Sequence, residues 1–300
     1  MAEREGGALY RGDLRLAWLS VAPAAAILLA LSFIPALMVL DISVRRVETG
    51  DETGPFVGLE NFWWALSEPS FFQALGNSLI WTFGSVGIEM VVGLGLALLL
   101  DQSFRLRGLA RAAILAPYLV PTVVAVLTWR YMFHDLVGVF NYMLLGIGLI
   151  REPILWLGQP TSAMFAVILV GVWKFFPFVV IAVLGILQAI PREQFEAARI
   201  DGASAWRRLR VITLPQIMPV LLLTAVLRMI WTFHKFDIIY LLTGGGPLDA
   251  TTTLPVMVYL QGFQDMDLGR AAAVAIVTML ILSVLLVAYF TLQRRAERAQ

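Results

Sequence analysis

Three ionisable residues stand near the middles of long apolar runs: Glu89, Lys174 and Arg228. His234, Lys235 and Asp237 follow shortly after Arg228. Charged groups are costly inside a bilayer and normally face protein or water, so they mark either internal pairing or a polar path. Arg228, Trp231, Thr232 and Lys235 stand at i, i+3, i+4 and i+7, one face of one helix. Lys174 and Phe178 stand at i and i+4, with Phe175 and Pro177 beside them. Pro177, lacking an N–H to bond back to position 173, is expected to kink its helix. Two kinds of chemistry fit this set. Glu89 and Asp237 would neutralise two of the three cations and hold helices in register. Alternatively, the cations and Thr232 would donate hydrogen bonds to hydroxyls while Trp231 and Phe178 stack on the C–H faces of a ring, which suits a sugar. The residue types alone leave both readings open.

The elements that must position these groups follow from composition. The chain has 300 residues, 59% hydrophobic and 14% charged, with a mean hydropathy of +0.81. Soluble domains carry roughly 45–50% apolar and about 25% charged residues. A soluble globular enzyme, a disordered chain and a disulfide scaffold are thereby excluded, and a polytopic membrane protein remains. Six apolar stretches reach the about 20 residues that a helix needs to cross a bilayer. They are 16–40, 74–100, 108–133, 162–190, 217–243 and 269–292. The first is much longer than the roughly 7–15-residue core of a secretory signal and reads as a retained anchor. The expected fold is all-α: six transmembrane helices and a cytoplasmic helix pair. The expected layout is a tail at 1–15, a transmembrane domain at 16–293 and a second tail at 294–300. No internal repeat or low-complexity tract occurs.

Arginine placement predicts the orientation. One side collects Arg4, Arg11 and Arg15, then Arg105, Arg107 and Arg111. The loop 191–216 adds Arg192, Arg199, Arg207, Arg208 and Arg210, and the C-terminal end adds Arg294, Arg295 and Arg298. The opposite loops hold Arg45, Arg46 and Arg151. Both termini and the loop 191–216 are therefore expected in the cytoplasm of a multi-pass protein of the cell membrane. Outside, segment 41–73 is acidic and aromatic, and segment 134–161 is apolar enough to lie along the outer interface.

Several chemistries are missing. The chain has no cysteine and only two histidines, His134 and His234, so disulfides, thiol catalysis and a His-rich metal site are excluded. A net charge of +1 gives no reason to expect nucleic acid. The only lysines are Lys174 and Lys235, and neither follows a glycine, so no Walker A loop exists. No HExxH or GxSxG occurs. No cofactor and no catalytic residue is expected, and any ATP hydrolysis would belong to a separate subunit.

The loop 191–216 reads PREQFEAARIDGASAWRRLRVITLPQ. Pro191 opens a helix, Gly202 sits where a helix C-terminal glycine takes positive φ, and Ser204 can N-cap a second short helix ending before Pro215. Phe195, Ala198, Trp206 and Ile212 exceed what a solvated loop needs. Such a hairpin either lies on the membrane surface with its arginines on anionic lipid or docks a soluble partner.

The run Glu196-Ala197-Ala198, then Gly202, then Ile212, then Leu214-Pro215, resembles the EAA motif of importer permeases, the membrane subunits of binding-protein-dependent ABC transporters. Phe56-Val57-Gly58-Leu59-Glu60-Asn61-Phe62, Pro117-Tyr118, Val172-Trp173-Lys174 and Leu242-Thr243-Gly244-Gly245-Gly246-Pro247 extend the resemblance over nearly all of 15–293. Together they are similar to the carbohydrate-uptake branch, in the subunit type of the maltose and glycerol-phosphate permeases. The resemblance implies a second permease subunit, a dimer of ATP-binding subunits, an extracytoplasmic sugar-binding protein and a di- or oligosaccharide substrate moved by alternating access. It implies that the hairpin couples to the ATPase: Glu196 meets a basic residue of that subunit, Ala197 and Ala198 allow close approach, and Gly202 makes the turn. It also implies that substrate is bound at the positions of Lys174, Phe178, Arg228, Trp231, Thr232 and Lys235, although the maltose permease carries mostly small polar side chains there. The alternative from a different class is a transporter driven by an ion gradient, with Glu89 or Asp237 as the ion site.

Overall fold

The computed structural model describes residues 18–298. The tail arginines Arg4, Arg11 and Arg15 and the start of the first stretch lie outside them. Among the described residues the chain is helical, with two isolated β-bridges and no named strand. The first apolar stretch is α1, Trp18–Ser43. It is followed by α2 (Glu60–Ser67), α3 (Pro69–Asp101), α4 (Arg107–Leu119), α5 (Thr122–Met132) and α6 (Val139–Gly146). Then come α7 (Pro160–Leu187), α8 (Arg192–Ile200), α9 (Ala205–Phe233) and α10 (Asp237–Thr243). The last are α11 (Leu254–Tyr259), which continues into a π-turn, Leu260–Gln264, and α12 (Leu268–Arg298). Among the described residues, five helices are long and apolar enough to cross a membrane: α1, α3, α7, α9 and the first 24 residues of α12. The bent pair α4 and α5 makes six.

Two expectations about continuity are corrected. The stretch 108–133 is not one helix, because α4 and α5 meet at 96°. Pro121 is the cause: its ring disfavours helical geometry at Val120, which is extended at φ −64°, ψ 131°. The stretch 217–243 is also divided. α9 ends at Phe233, and α10 begins at Asp237, an acidic residue in the first turn of a new helix where the helix dipole favours it. By contrast, Pro177 sits inside α7 without ending it. The hairpin's second arm also runs on. Ala205–Arg208 passes through a π-turn, Leu209–Thr213, into Leu214–Phe233, with Pro215 in that segment's first turn, where its missing N–H costs little.

The chain forms two compact units. One holds the described residues up to Ala65 together with Val258–Val277. Its centre is the buried Asn61, whose Nδ2 donates to the carbonyls of Ser43 (2.9 Å) and Arg45 (2.8 Å). The Arg270 guanidinium lies 4.5 Å from the Trp64 ring centroid. The other unit holds Leu66–Met257 and the described residues from Thr278. Here α3 packs along α7, and α9 packs on both. Small residues permit the approach, as helices in lipid require. A Cβ on Gly93 would sit 2.5 Å from that of Val179, and one on Gly171 would overlap the Trp81 indole. Segment 134–161 folds on itself around buried Asn141, which accepts from Ile154 N (3.1 Å) and Trp156 Nε1 (3.0 Å).

Trp81 cannot yield to a larger residue at 171, because its Nε1 is bonded to the Thr232 carbonyl at 2.8 Å. Gly171→Val is therefore expected to destabilise the protein by about 1–3 kcal/mol. The check is a thermal unfolding comparison in detergent, against Gly185→Val, whose added Cβ meets open space.

Candidate functional site

Arg228 on α9 and Glu89 on α3 form a two-pronged ion pair. Nε donates to Oε2 at 2.7 Å and Nη2 to Oε1 at 3.0 Å, with the side chains 3% and 0% exposed. Nη2 also donates to Thr232 Oγ1 at 3.2 Å, and the guanidinium lies 4.4 Å from the Phe175 ring centroid. The charge-pairing chemistry is thus realised for this cation. Glu89, the first candidate ion site of a gradient-driven carrier, has both carboxylate oxygens engaged.

Lys174 is equally committed. It is buried on α7, and its ammonium donates to the carbonyls of Pro117 (3.1 Å), Tyr118 (3.2 Å) and Val120. The reason lies in the broken span. Pro121 has no N–H to give to the carbonyl of Pro117, and the chain turns away before the next carbonyls find helical partners. The single ammonium satisfies three of the carbonyls around the corner.

The remaining predicted ligand positions are more open. Trp231 is 46% exposed, and Phe178 is half-buried. Their rings meet edge to face at 5.2 Å between centroids, with Tyr118 6.4 Å from Phe178. Lys235 lies beyond the end of α9, so the expected i+7 register with Arg228 is corrected. Its amide donates to the Thr232 carbonyl at 3.0 Å as the helix closes. Its ammonium is 3.4 Å from Asp237 Oδ2 and 5.2 Å from the Phe175 centroid, and the side chain keeps 29% exposure. The six positions therefore separate into three buried ones whose side chains are bonded inside the protein (Lys174 and Arg228 as donors, Thr232 as acceptor) and three with accessible surface (Phe178, Trp231, Lys235). Phe175, Tyr118 and Trp81 complete the cluster. Trp81 lies on the α3 face of Glu89 two turns earlier, and that spacing was the available signal.

The hairpin is built from local bonds. Gly202 has φ +73°; its N–H bonds the Arg199 carbonyl at 3.0 Å, and the Ala203 N–H bonds the Ala198 carbonyl at 2.8 Å. This pair of bonds is the Schellman closure, which satisfies the last carbonyls of α8. Ser204 Oγ accepts from Arg207 N at 3.3 Å and caps the next helix. Gln216 Nε2 donates to Gln194 Oε1 at 2.8 Å, and Phe195, Ile212 and Leu214 pack against a core cluster that includes Leu100, Val183 and Leu187. Glu196 and Ala197 face outward, Ala198 is half-buried, and Ile200 and Trp206 are 87% and 67% exposed.

The fold itself has known counterparts. The chain overlays a bacterial ABC transporter involved in the import of alginate with a TM-score of 0.83 and 24% identity, covering 95% of this chain and 98% of that one. In sequence, residues 89–298 match the family described as the binding-protein-dependent transport system inner membrane component, and the chain belongs to that family. It is therefore a multi-pass membrane subunit of a binding-protein-dependent transporter. It is 37% identical to the trehalose/maltose transport system permease protein MalF of Thermococcus litoralis, over 95% of each chain. It is 35% identical to the sulfoquinovosyl glycerol transport system permease protein SmoG of Agrobacterium fabrum, over 89% of this chain and 86% of that one.

A buried pair stripped of one member leaves an uncompensated charge, which destabilises by about 3–5 kcal/mol. Glu89→Ala is expected to show a loss of that size in denaturant or thermal unfolding. The double variant Glu89→Leu/Arg228→Met is expected to recover most of it. Equal stability of Glu89→Ala and the parent would mean that the pair does not hold α3 to α9.

Proposed function

We propose that this chain is one of two permease subunits of an ATP-driven importer that moves a carbohydrate, a di- or oligosaccharide, by alternating access. The observation that carries the reading is the hairpin of α8 and α9. It presents Glu196 and Ala197 beside exposed Ile200 and Trp206, on a turn closed by local bonds of its own. Exposed apolar residues on a rigid, charged projection suit a protein partner. In this reading the hairpin and both termini are cytoplasmic, in line with the arginine bias. Glu196, Ala197, Ala198 and Gly202 seat the hairpin in a subunit of an ATP-binding dimer. That dimer supplies the hydrolysis for which this sequence has no phosphate loop. A soluble sugar-binding protein delivers substrate from outside.

The sugar assignment draws on the named relatives, which serve trehalose, maltose and sulfoquinovosyl glycerol. It also draws on the chemistry around Trp231. Among the six positions we assign direct contact to Phe178, Trp231 and Lys235: two rings for the C–H faces of a sugar and one ammonium for its hydroxyls. Lys174, Arg228 and Thr232 border the same site and fix its walls, and they reach substrate only if their present bonds exchange during the transport cycle. No specific observation favours the gradient-driven alternative.

Two outcomes are expected. Trp231→Ala should lower sugar uptake by about tenfold, the scale of one lost aromatic contact, with the affinity of the binding protein for sugar unchanged. Uptake by proteoliposomes of the assembled transporter measures the first and titration of the binding protein the second. Parental uptake would remove Trp231 from the site. Gly202→Val places a β-branched residue at positive φ, which is strained, and should abolish co-purification of the ATP-binding subunit while membrane insertion persists. Undiminished co-purification would refute the coupling role of the hairpin.

A further inference from the structure

The sugar site proposed above holds the cations of Lys174, Arg228 and Lys235 and the carboxylates of Glu89 and Asp237. Two of the cations are closed to a ligand. Arg228 is neutralised by Glu89, and both side chains are buried. Lys174 turns its ammonium into the carbonyls of Pro117, Tyr118 and Val120, whose dipoles point their negative ends at it. Of the three, Lys235 reaches open surface, and Asp237 stands beside it at 37% exposure.

The break between α9 and α10 sets this pair. Asp237 Oδ1 accepts from the Ile238 N–H at 3.0 Å, which fixes the carboxylate, and Oδ2 faces the Lys235 ammonium at 3.4 Å. α10 packs on α5 and α7 through an element whose Ile238 and Ile239 are buried, so the carboxylate has a firm base. A run of rings joins the pair to Trp231. The ammonium is 5.2 Å from the Phe175 centroid, Tyr118 is 6.4 Å from both Phe175 and Phe178, and Phe178 is 5.2 Å from Trp231. Lys174 feels both members of the pair, with opposite sign.

The open end of the site thus offers a donor and an acceptor side by side, with no net charge. An ammonium has three N–H donors and a carboxylate about four acceptor positions, so one bond between them leaves capacity on both. Neighbouring hydroxyls of a sugar ring match that arrangement: one donates to Asp237 while the next accepts from Lys235. A phosphate or carboxylate on the sugar would gain the ammonium and meet the Asp237 carboxylate at the same place. Like charges at that range repel, and such a clash selects against one class of ligand.

We infer that the site takes uncharged saccharides and that Asp237 is its specificity-determining residue, holding adjacent hydroxyls together with Lys235 and turning acidic sugars away. The inference rests on the sugar site of the proposed function. A pair that merely joined α9 to α10 would affect stability and would leave the choice between neutral and acidic ligands untouched.

The test is direct binding to the purified, assembled transporter in detergent, without the soluble binding protein, whose own preference would otherwise decide the result. Saturation-transfer NMR titrations use matched probes: maltose, trehalose and cellobiose, each beside its 6-phosphate. In the parent, the neutral member of a pair is expected to bind about tenfold more tightly than its phosphate, the scale of one like charge near contact. Asp237→Asn keeps an oxygen for the Ile238 N–H and removes the charge, and it should lower that ratio about tenfold by strengthening phosphate binding. Lys235→Gln leaves the carboxylate alone and should raise the ratio. Tighter binding of the phosphates by the parent overturns the inference and leaves the sugar site standing, as does an unchanged ratio in Asp237→Asn. If that variant fails to assemble, an unchanged ratio in Lys235→Gln overturns it in the same way. Trp231→Ala should weaken both members of a pair alike. Binding that Trp231→Ala does not alter, or no binding of any probe, removes the sugar site itself and the inference with it.

Discussion

The fork between Arg228 and Glu89 governs the arrangement of everything around it. In an apolar layer neither ion tolerates solitude, so α3 and α9 have one register in which both are satisfied. That register brings Thr232 to the second hydrogen of Nη2 and Phe175 beneath the charge. It also leaves Trp81, on the same face of α3, to close the Thr232 carbonyl. With Arg228 held down, the next residue that α9 can offer to an open surface is Trp231. The ion pair thus acts less as a source of stability than as a choice of geometry.

A second constraint runs through the molecule: irregular backbone at membrane depth must find hydrogen bonds inside the protein. Two helix ends meet it, and the end of α8, which lies in the hairpin and outside the candidate spans, offers a contrast. The corner at Val120 and Pro121 is served by a side chain from another helix, Lys174. The end of α9 is served by the Trp81 indole and by the Lys235 amide. The end of α8 is served only by its own turn at Gly202. The first two tie neighbouring helices together. The third closes without help from other helices, and the hairpin is held to its surroundings by the packing of Phe195, Ile212 and Leu214 instead.

Much of this was legible in the sequence, and the failures are informative. Apolar length exposes the spans because it follows from composition over long windows. Gly202 as a positive-φ turn and Ser204 as a cap were readable because they are local. The break in the third span was missed although Pro117 and Pro121 stand four apart, since the apolar run around them is unbroken. The division of the fifth span was missed for the same reason, and with it the true place of Lys235. The partners of Lys174 were beyond reach, because carbonyls carry no side-chain signature. Glu89 and Arg228 could be suspected of pairing, yet 139 residues separate them, and only packing decides which of several cations a carboxylate meets.

The Lys174 contact also has a mechanical consequence. Its ammonium grips three carbonyls at the end of α4 and in the turn that follows it, and its stem is rooted in α7. A rotation of α7 that preserves these bonds drags the corner along, like a crank pin in a slotted arm. The end of the first segment of a broken span is thereby tied to a helix more than fifty positions later in the chain.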